Sequence, residues 1–253
     1  MKLRYSLPSR CNSLVMAAHR VTIPFSYIAG YLPVSYMSTP KTKIHESSPF
    51  PDGEKCAADS CARDRIFDAA RKLFYKFGIR GVSVDAIAAE ADTTKVTLYR
   101  LFESKDDLVA KVLDEQKQRF WKWWDEIVAQ HPGDPRAQLD ALFSEIRDCI
   151  AYGAERGCPL SNAAVEVVEK DHPARAVMRA HKAELTKRLR GLCRDLGANQ
   201  PDLLGDALSL ILIGALSAKL GSETKEQVAS IYDAAKALID SPALGVAPAK
   251  SKR

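Results

Sequence analysis

The chain has 253 residues, of which 46% are hydrophobic and 27% charged. This balance is typical of a folded protein of one large or two small domains, and no run approaches the ~18 uninterrupted apolar residues of a membrane span. The formal net charge of +5 is uneven: residues 1–45 hold six basic and no acidic side chains, leaving 31 basic against 32 acidic residues elsewhere. Such a balance excludes a general nucleic-acid coat, so any DNA affinity must come from a local patch.

Residues 1–58 have no sustained helical period and are interrupted by prolines. Their acid-free start is similar to a targeting peptide, but an uninterrupted apolar core and a cleavage site are missing. Three interpretations stay open: an upstream extension from a wrong start choice, a disordered arm that adds nonspecific DNA attraction, or a targeting sequence. We favour the first two, because Met16 and Met37 offer later starts.

The first helix is predicted from Asp59 to Phe77, where apolar residues recur at helical spacing and glycines follow. A second helix is predicted from Asp85 to Ala91, capped by Ser83. Asp92 and Thr93 then form a turn, since Asp tolerates the left-handed backbone that a tight turn needs.

A third helix is predicted from Lys95 to Phe102, capped by Thr94. Its large apolar residues fall on one side, and Val96, Thr97, Tyr99 and Arg100 spread over the other. Such a helix suits insertion into a DNA major groove. Ser104 caps the next helix and places Lys105 at an amino end where a phosphate can bind. The alternative is a plain three-helix cap, which leaves the exposed tyrosine unexplained.

This segment resembles the DNA-binding domain of the tetracycline-repressor (TetR/AcrR) family. Two positions depart from that family's pattern, since Asp92 replaces a turn glycine and Val96 replaces a glycine of the recognition helix. The residues that carry the resemblance are Phe74, Gly78, Ile87, Ala88, Thr94, Lys95, Thr97, Leu98, Tyr99, Phe102, Ser104, Lys105 and Leu108.

The resemblance implies an all-α protein with an N-terminal three-helix helix-turn-helix domain and a C-terminal helical ligand-binding and dimerisation domain. Within the first domain, Arg100 is a candidate for a bidentate guanine contact or a backbone contact, and Val96 for packing on a thymine methyl. The predicted DNA-binding residues are Ser83, Thr94, Lys95, Val96, Thr97, Tyr99, Arg100 and Lys105.

A long helix is predicted over residues 105–130, and it holds all three tryptophans. These rings either pack adjacent helices or line an apolar ligand pocket. A further helix follows from Pro135 to Tyr152. The next loop, Gly157-Cys158-Pro159-Leu160, is similar to one in a branch of TetR-like ligand domains and leads to a helix capped by Ser161 or Asn162. The predicted pocket residues are Phe120, Trp123, Trp124, Phe143 and Cys158.

The sequence shows little sign of a catalytic or metal site. The histidines and cysteines show no zinc or nucleophile-base spacing, and phosphate-loop and dinucleotide fingerprints are missing, so we expect no enzyme and no cofactor. Six reduced cytoplasmic thiols are the default expectation. Cys158 beside a helix start can have a lowered thiol pKa, which leaves a thiol sensor open, and an enzyme with this nucleophile is the remotest alternative.

The last predicted helices suggest how two copies of the chain could associate. A basic helix is predicted at residues 174–196, a nearly all-apolar helix at 202–220 and an amphipathic helix at 226–240. The last two fit a four-helix dimer interface, with an internal core hairpin as the alternative. The predicted interface residues are Leu204, Leu208, Ile211, Ala215, Ala218, Ile231, Tyr232, Ala235 and Leu238.

Together these features predict a cytoplasmic homodimeric regulator, with no membrane partner, that represses by binding a near-palindromic double-stranded operator. An apolar or aromatic small molecule would release it. The alternative is a small-molecule binding protein whose helix-turn-helix no longer reads DNA. The predicted divisions are an extension at 1–58, the DNA-binding domain at 59–104, the ligand and dimer domain at 105–243, and a disordered tail at 244–253.

Overall fold

The computed structural model describes residues 58–152, 156–218 and 225–246, and the regular elements within these ranges are all α-helices. The extension at 1–57 and the end of the predicted tail lie outside the described residues. In chain order the helices are α1 (Ala58–Phe77), α2 (Val84–Glu90), α3 (Lys95–Leu101), α4 (Lys105–Val128), α5 (Pro135–Tyr152), α6 (Pro159–Glu166), α7 (Ala174–Asp195), α8 (Pro201–Ala218) and α9 (Lys225–Ile239).

Three predicted caps start the short helices. The Ser83 hydroxyl accepts from the Ala86 amide at 3.1 Å, and the Thr94 hydroxyl accepts from the Thr97 amide at 3.2 Å. Ser104 does the same for α4, with its hydroxyl 3.0 Å from the Asp107 amide. Each cap satisfies a backbone N–H that the first helical turn leaves unpaired, which stabilises a helix by about 1 kcal/mol.

The turn between α2 and α3 is confirmed at Asp92, whose φ of 47° lies in the left-handed region. Among the described non-glycine residues, it is the one with a positive φ. The backbone reverses there because Asp pays a smaller steric cost in this region than most side chains.

Helix α1 secures both short helices through two arginines. Arg63 donates to the Leu101 carbonyl at 3.0 Å, at the carboxyl end of α3, and its guanidinium stacks 4.8 Å from the centre of the Phe102 ring. Arg65 donates to the Ala91 carbonyl at 3.0 Å, at the carboxyl end of α2. These contacts give cationic partners to carbonyls that a helix end leaves unpaired, so α1 sets the orientation of α3.

We call helices α1–α3 the first body and helices α4–α9 the second body. Helices α7 and α8 pack along much of their length, joined by the Arg190 guanidinium, which donates to both carboxylate oxygens of Asp206 at 2.8 and 2.7 Å. Gly205 permits this approach, because an added Cβ would lie 2.7 Å from Arg190 backbone atoms. Helix α9 packs on α5, where Arg136 pairs with Asp240.

The predicted helices are confirmed, with described ends shifted by at most two residues, except at α6. That helix begins at Pro159 rather than after Ser161 or Asn162, because a proline at the first helical position needs no partner for its missing N–H. The expectation of six reduced thiols is also wrong, since Cys61 near the start of α1 is disulfide-bonded. Among the described cysteines, Cys149, Cys158 and Cys193 are free and buried.

Candidate DNA-binding site and ligand chamber

Helix α3 presents a surface that a core helix would not. Its Leu98 is fully buried, which anchors the helix to the body, while Val96 is 79% exposed and Tyr99 47% exposed. Lys95 and Arg100 are also exposed. The side chains of Val96 and Tyr99 and the cations of Lys95 and Arg100 therefore project from one short helix. Such groups are suited to contacts with base edges and phosphates.

The remaining predicted contact residues line the amino ends of α2 and α3. The hydroxyls of Thr94 and Thr97 lie 3.1 Å apart, so both mark the start of α3. Lys95 Nζ lies 3.1 Å from the Asp85 carboxylate, and both groups are largely exposed. A surface pair of this kind contributes little to stability, so a phosphate can replace the carboxylate at small cost.

Lys105 occupies a different position from the predicted one. Its ammonium donates to the Ile79 carbonyl at 2.7 Å, inside the junction between the two bodies, instead of projecting from the amino end of α4. Burial lowers the pKa of Lys105, and the neighbouring carboxylates of Asp106 and Glu166 partly oppose that shift. The side chain thus holds the loop after α1 in place.

Glu166, the last residue of α6, meets the same loop from the other side. Its Oε2 accepts from the Ile79 amide at 2.5 Å and, at 3.4 Å, from the Arg80 amide. Gly78 makes room for the carboxylate, since it has a φ of 79° and an added Cβ would lie 2.8 Å from Glu166 Oε2. One carboxylate of the second body therefore holds the loop that leads into α2.

The amino end of α6 is tied to α1 as well. The Arg156 amide donates to the Tyr75 hydroxyl at 3.0 Å, and the Arg156 guanidinium donates to the Tyr75 carbonyl at 2.9 Å. Asn162 Nδ2 donates to the Arg156 carbonyl at 2.6 Å and secures that segment to α6. This eight-residue helix is therefore joined to the loop after α1 by Glu166 at its end, and to the end of α1 through Arg156 before its start.

The opposite side of α6 faces a cavity of about 360 Å³, which we call the chamber. It lies between α6, α7 and α8 and is open to solvent on one side. Its apolar wall includes Leu160, Met178, Leu185, Leu212 and Leu216. Helix α6 therefore separates this chamber from the junction with α1, where Pro159, Ala163 and Glu166 line a small void of about 30 Å³.

Of the five predicted pocket residues, Cys158 lies on the chamber wall. The other four, Phe120, Trp123, Trp124 and Phe143, are buried and belong to the packed core. Phe120 reaches the chamber indirectly, because its ring packs edge-on, 4.8 Å between centres, against the ring of His181, which lines the wall. The packing interpretation of the aromatic cluster thus fits this structure.

The position of Cys158 beside a helix start, which can lower a thiol pKa, does not do so here. Complete burial raises the pKa of this thiol, and hydrogen bonds from Ser161 and Leu160 offset only part of that effect. A buried thiol with a raised pKa is a poor nucleophile, because the thiolate is the reactive form. The structure therefore gives no support to the thiol sensor.

Residues 66–112, which run from within α1 through α2 and α3 into α4, match the model of the tetR family of bacterial regulatory proteins. This segment of the chain is thus similar to the helix-turn-helix domain of that family. The HTH-type transcriptional regulator AcrR of Shigella flexneri is 31% identical over 84 residues, 33% of this chain and 39% of that protein. The HTH-type transcriptional repressor SCO4008 of Streptomyces coelicolor is 42% identical over 52 residues, 21% of this chain and 27% of that protein.

The likeness extends to the second body among solved structures. SCO4454, a TetR-family transcriptional regulator from Streptomyces coelicolor, superposes with a TM-score of 0.65 at 28% identity over 70% of this chain and 93% of that one. A TetR regulator from Chloroflexus aurantiacus shares the fold, with a TM-score of 0.62 at 22% identity over 74% and 98% of the two chains. The alignments span 65%, 39% and 27% of three curated relatives, so these sequence matches are partial.

The described part of the chain contains no helix long and apolar enough to cross a membrane. It also contains no cluster of three or more His, Cys, Asp or Glu side chains able to hold a metal ion.

Four of the nine predicted dimer-interface residues are already buried within one protomer. Leu204, Leu208, Ala215 and Ala235 are at most 5% exposed, so they already pack within one protomer. Ile211, Ile231, Tyr232 and Leu238 are partly buried against the same core, and the Ala218 side chain lies outside the described residues. The exposed stripe of α8 runs instead through Leu203, Leu210, Gly214 and Ser217.

Sequence reasoning missed several residues that organise the site. Glu166 contacts Ile79 across 87 positions of chain and Arg156 contacts Tyr75 across 81, so no local pattern predicts either contact. His181 gave no sequence signal either, since it lies alone on a helix rich in basic residues. Arg63 and Arg65 were detectable as charges on α1, but their targets are backbone carbonyls, which every residue carries.

Proposed function

We propose that this protein is a homodimeric transcriptional repressor that binds a near-palindromic operator and releases it when a small molecule enters the chamber. The observation that carries the proposal is α3, with Val96, Tyr99 and Arg100 exposed above a buried Leu98. Two such helices related by a two-fold axis would read successive major grooves about one helical turn apart. Residues 59–104 would form the DNA-binding domain and residues 105–243 the ligand and dimer domain.

Release would proceed through α6. Leu160 and Ser161 of this helix line the chamber, while Glu166 at its end holds the amides of Ile79 and Arg80. A ligand that moves α6 would change the position of this carboxylate and hence the orientation of α2 and α3. The ligand acts only through its different affinity for the two arrangements, so ~1–3 kcal/mol of coupling suffices.

The dimer would use the exposed stripe of α8 with the small exposed residues of α9. Leu203 and Leu210 are 53% and 66% exposed, which is unusual for leucines on a helix whose other face is core. Ala234 and Ala237 of α9 are exposed and small enough for close helix approach. Leu203→Glu with Leu210→Glu should give a monomer in analytical ultracentrifugation, whereas Val168→Glu, at another exposed apolar site, should leave the dimer intact.

The test of operator reading is selection of bound sequences from a random double-stranded DNA pool. We expect enrichment of an inverted repeat, and loss of binding on Tyr99→Ala but not on the control Val168→Ala. Arg100→Ala should cost about 1–3 kcal/mol at one position per half-site if it contacts guanine, and should weaken all sequences equally if it contacts the backbone. A folded dimer that enriches no sequence at low salt would favour the alternative of a small-molecule binding protein.

A further inference from the structure

The chamber pairs an apolar interior with a cationic mouth. Arg175, Arg179 and Lys182 of α7 lie on its wall, and no acidic side chain does so among the described residues. Arg175 also donates to the Val167 carbonyl at 3.1 Å, which holds its guanidinium beside α6. Arg179 and Lys182 are exposed, and none of the ion pairs within the described ranges involves either of them. A neutral apolar ligand would make no ionic contact with Arg179 or Lys182.

His181 supplies a second, independent feature. Its side chain is nine-tenths buried, and its Nδ1 has no hydrogen-bond partner in the described structure. Burial lowers the pKa of His181 to about 4, with a smaller contribution from Lys117, so the ring is neutral at physiological pH. A buried nitrogen without a partner costs free energy, which a ligand in the chamber could offset only after a shift that exposes Nδ1.

We propose that the chamber binds an organic monoanion with an apolar body, such as a carboxylate on an alkyl or aryl group. The carboxylate would meet Arg179 and Lys182 at the mouth, and the apolar body would pack on Leu185 and Leu216. This inference rests on the proposed function, since it names the chemical class of the effector. It narrows the expected apolar or aromatic molecule to one that carries a negative charge.

The test compares octanoate with octanol, which differ in charge at nearly the same shape. Calorimetric titration of the full-length protein at pH 7.5, below micelle concentrations, should show octanoate binding about tenfold or more tightly than octanol. Arg179→Ala with Lys182→Ala should remove that preference. The matched control is Lys187→Ala with Arg194→Ala, which deletes the same charge from α7 away from the chamber wall and should keep it.

Three results would overturn the inference: no octanoate binding, equal binding of the two probes, or a preference that survives in Arg179→Ala/Lys182→Ala. The DNA selection reports separately on the proposed function. Octanoate binding without any enriched operator would contradict the proposed repressor function and support the proposed ligand class. An enriched operator would support the proposed repressor function. If octanoate neither binds the protein nor changes operator occupancy, the proposed ligand class is wrong.

Discussion

The carboxylate of Glu166 offers the sharpest test of coupling between the two bodies. Glu166→Ala removes the acceptor of the Ile79 amide at 2.5 Å and of the longer Arg80 contact. Hydrogen bonds to a charged group contribute about 1.5–3 kcal/mol, and we count only the shorter one because 3.4 Å is weak. We therefore expect a loss of about 2 kcal/mol in the free energy of unfolding, which lowers Tm by about 4–8 °C in a protein of this size.

The same substitution should weaken ligand-driven release. If the contact carries the coupling, losing about 2 kcal/mol makes operator affinity respond about 30-fold less to the ligand. Differential scanning fluorimetry measures the first effect, and operator titration with and without octanoate measures the second. Glu169→Ala is the control, because Glu169 pairs with Arg80 on the open surface and such pairs contribute little. A wild-type Tm and release in Glu166→Ala, or equal losses in the control, would refute the reasoning.

Two further predictions concern backbone space and pH. Gly157→Ala should destabilise the fold by more than 2 kcal/mol in urea unfolding, since φ is 66° and a Cβ would lie 1.9 Å from the Leu216 carbonyl oxygen. Its control is Gly191→Ala on α7, where a Cβ would have nothing within 4 Å, so we expect stabilisation by ~0.5–1 kcal/mol. A loss of stability in Gly191→Ala would contradict the argument from backbone space. The pKa of His181 falls from 6.5 to about 4 on folding, so the unfolded chain binds the extra proton and stability drops as pH falls through that window. The full loss in the free energy of unfolding is about 3 kcal/mol. In His181→Phe the urea midpoint should change less with pH between 6.5 and about 4 than in the wild type. Equal pH dependence of the midpoint in both proteins would contradict the burial argument.

Local rules were sufficient for the helices and the turn. Ser83, Thr94 and Ser104 cap the helices that they were expected to cap, because a cap joins groups only three residues apart. Asp92 takes the left-handed backbone for an equally local steric reason. The helix-turn-helix could thus be predicted from residues 81–113, since its short helices, its turn and its exposed face are all encoded at helical spacing.

Local spacing does not decide which of two possible neighbours a side chain meets. Helical spacing placed Leu204 and Leu208 on an apolar face, but an all-apolar helix does not say which face meets another chain. The tertiary packing buries these two within the protomer and leaves Leu203 and Leu210 outside. In the same way, the tryptophans of α4 fill the core, and the chamber forms beside α7.

By itself, therefore, the sequence determined the all-helical fold, the caps, the turn and the family resemblance, because these depend on groups within a few residues of one another. Only the tertiary structure decided that Lys105 faces the Ile79 carbonyl and that Glu166 holds the loop after α1. It alone placed Leu160 of α6 and Leu212 and Leu216 of α8 beside the face of α7 that carries His181. Those contacts join residues far apart in the chain, and their free energy depends on distance and burial that no local pattern encodes.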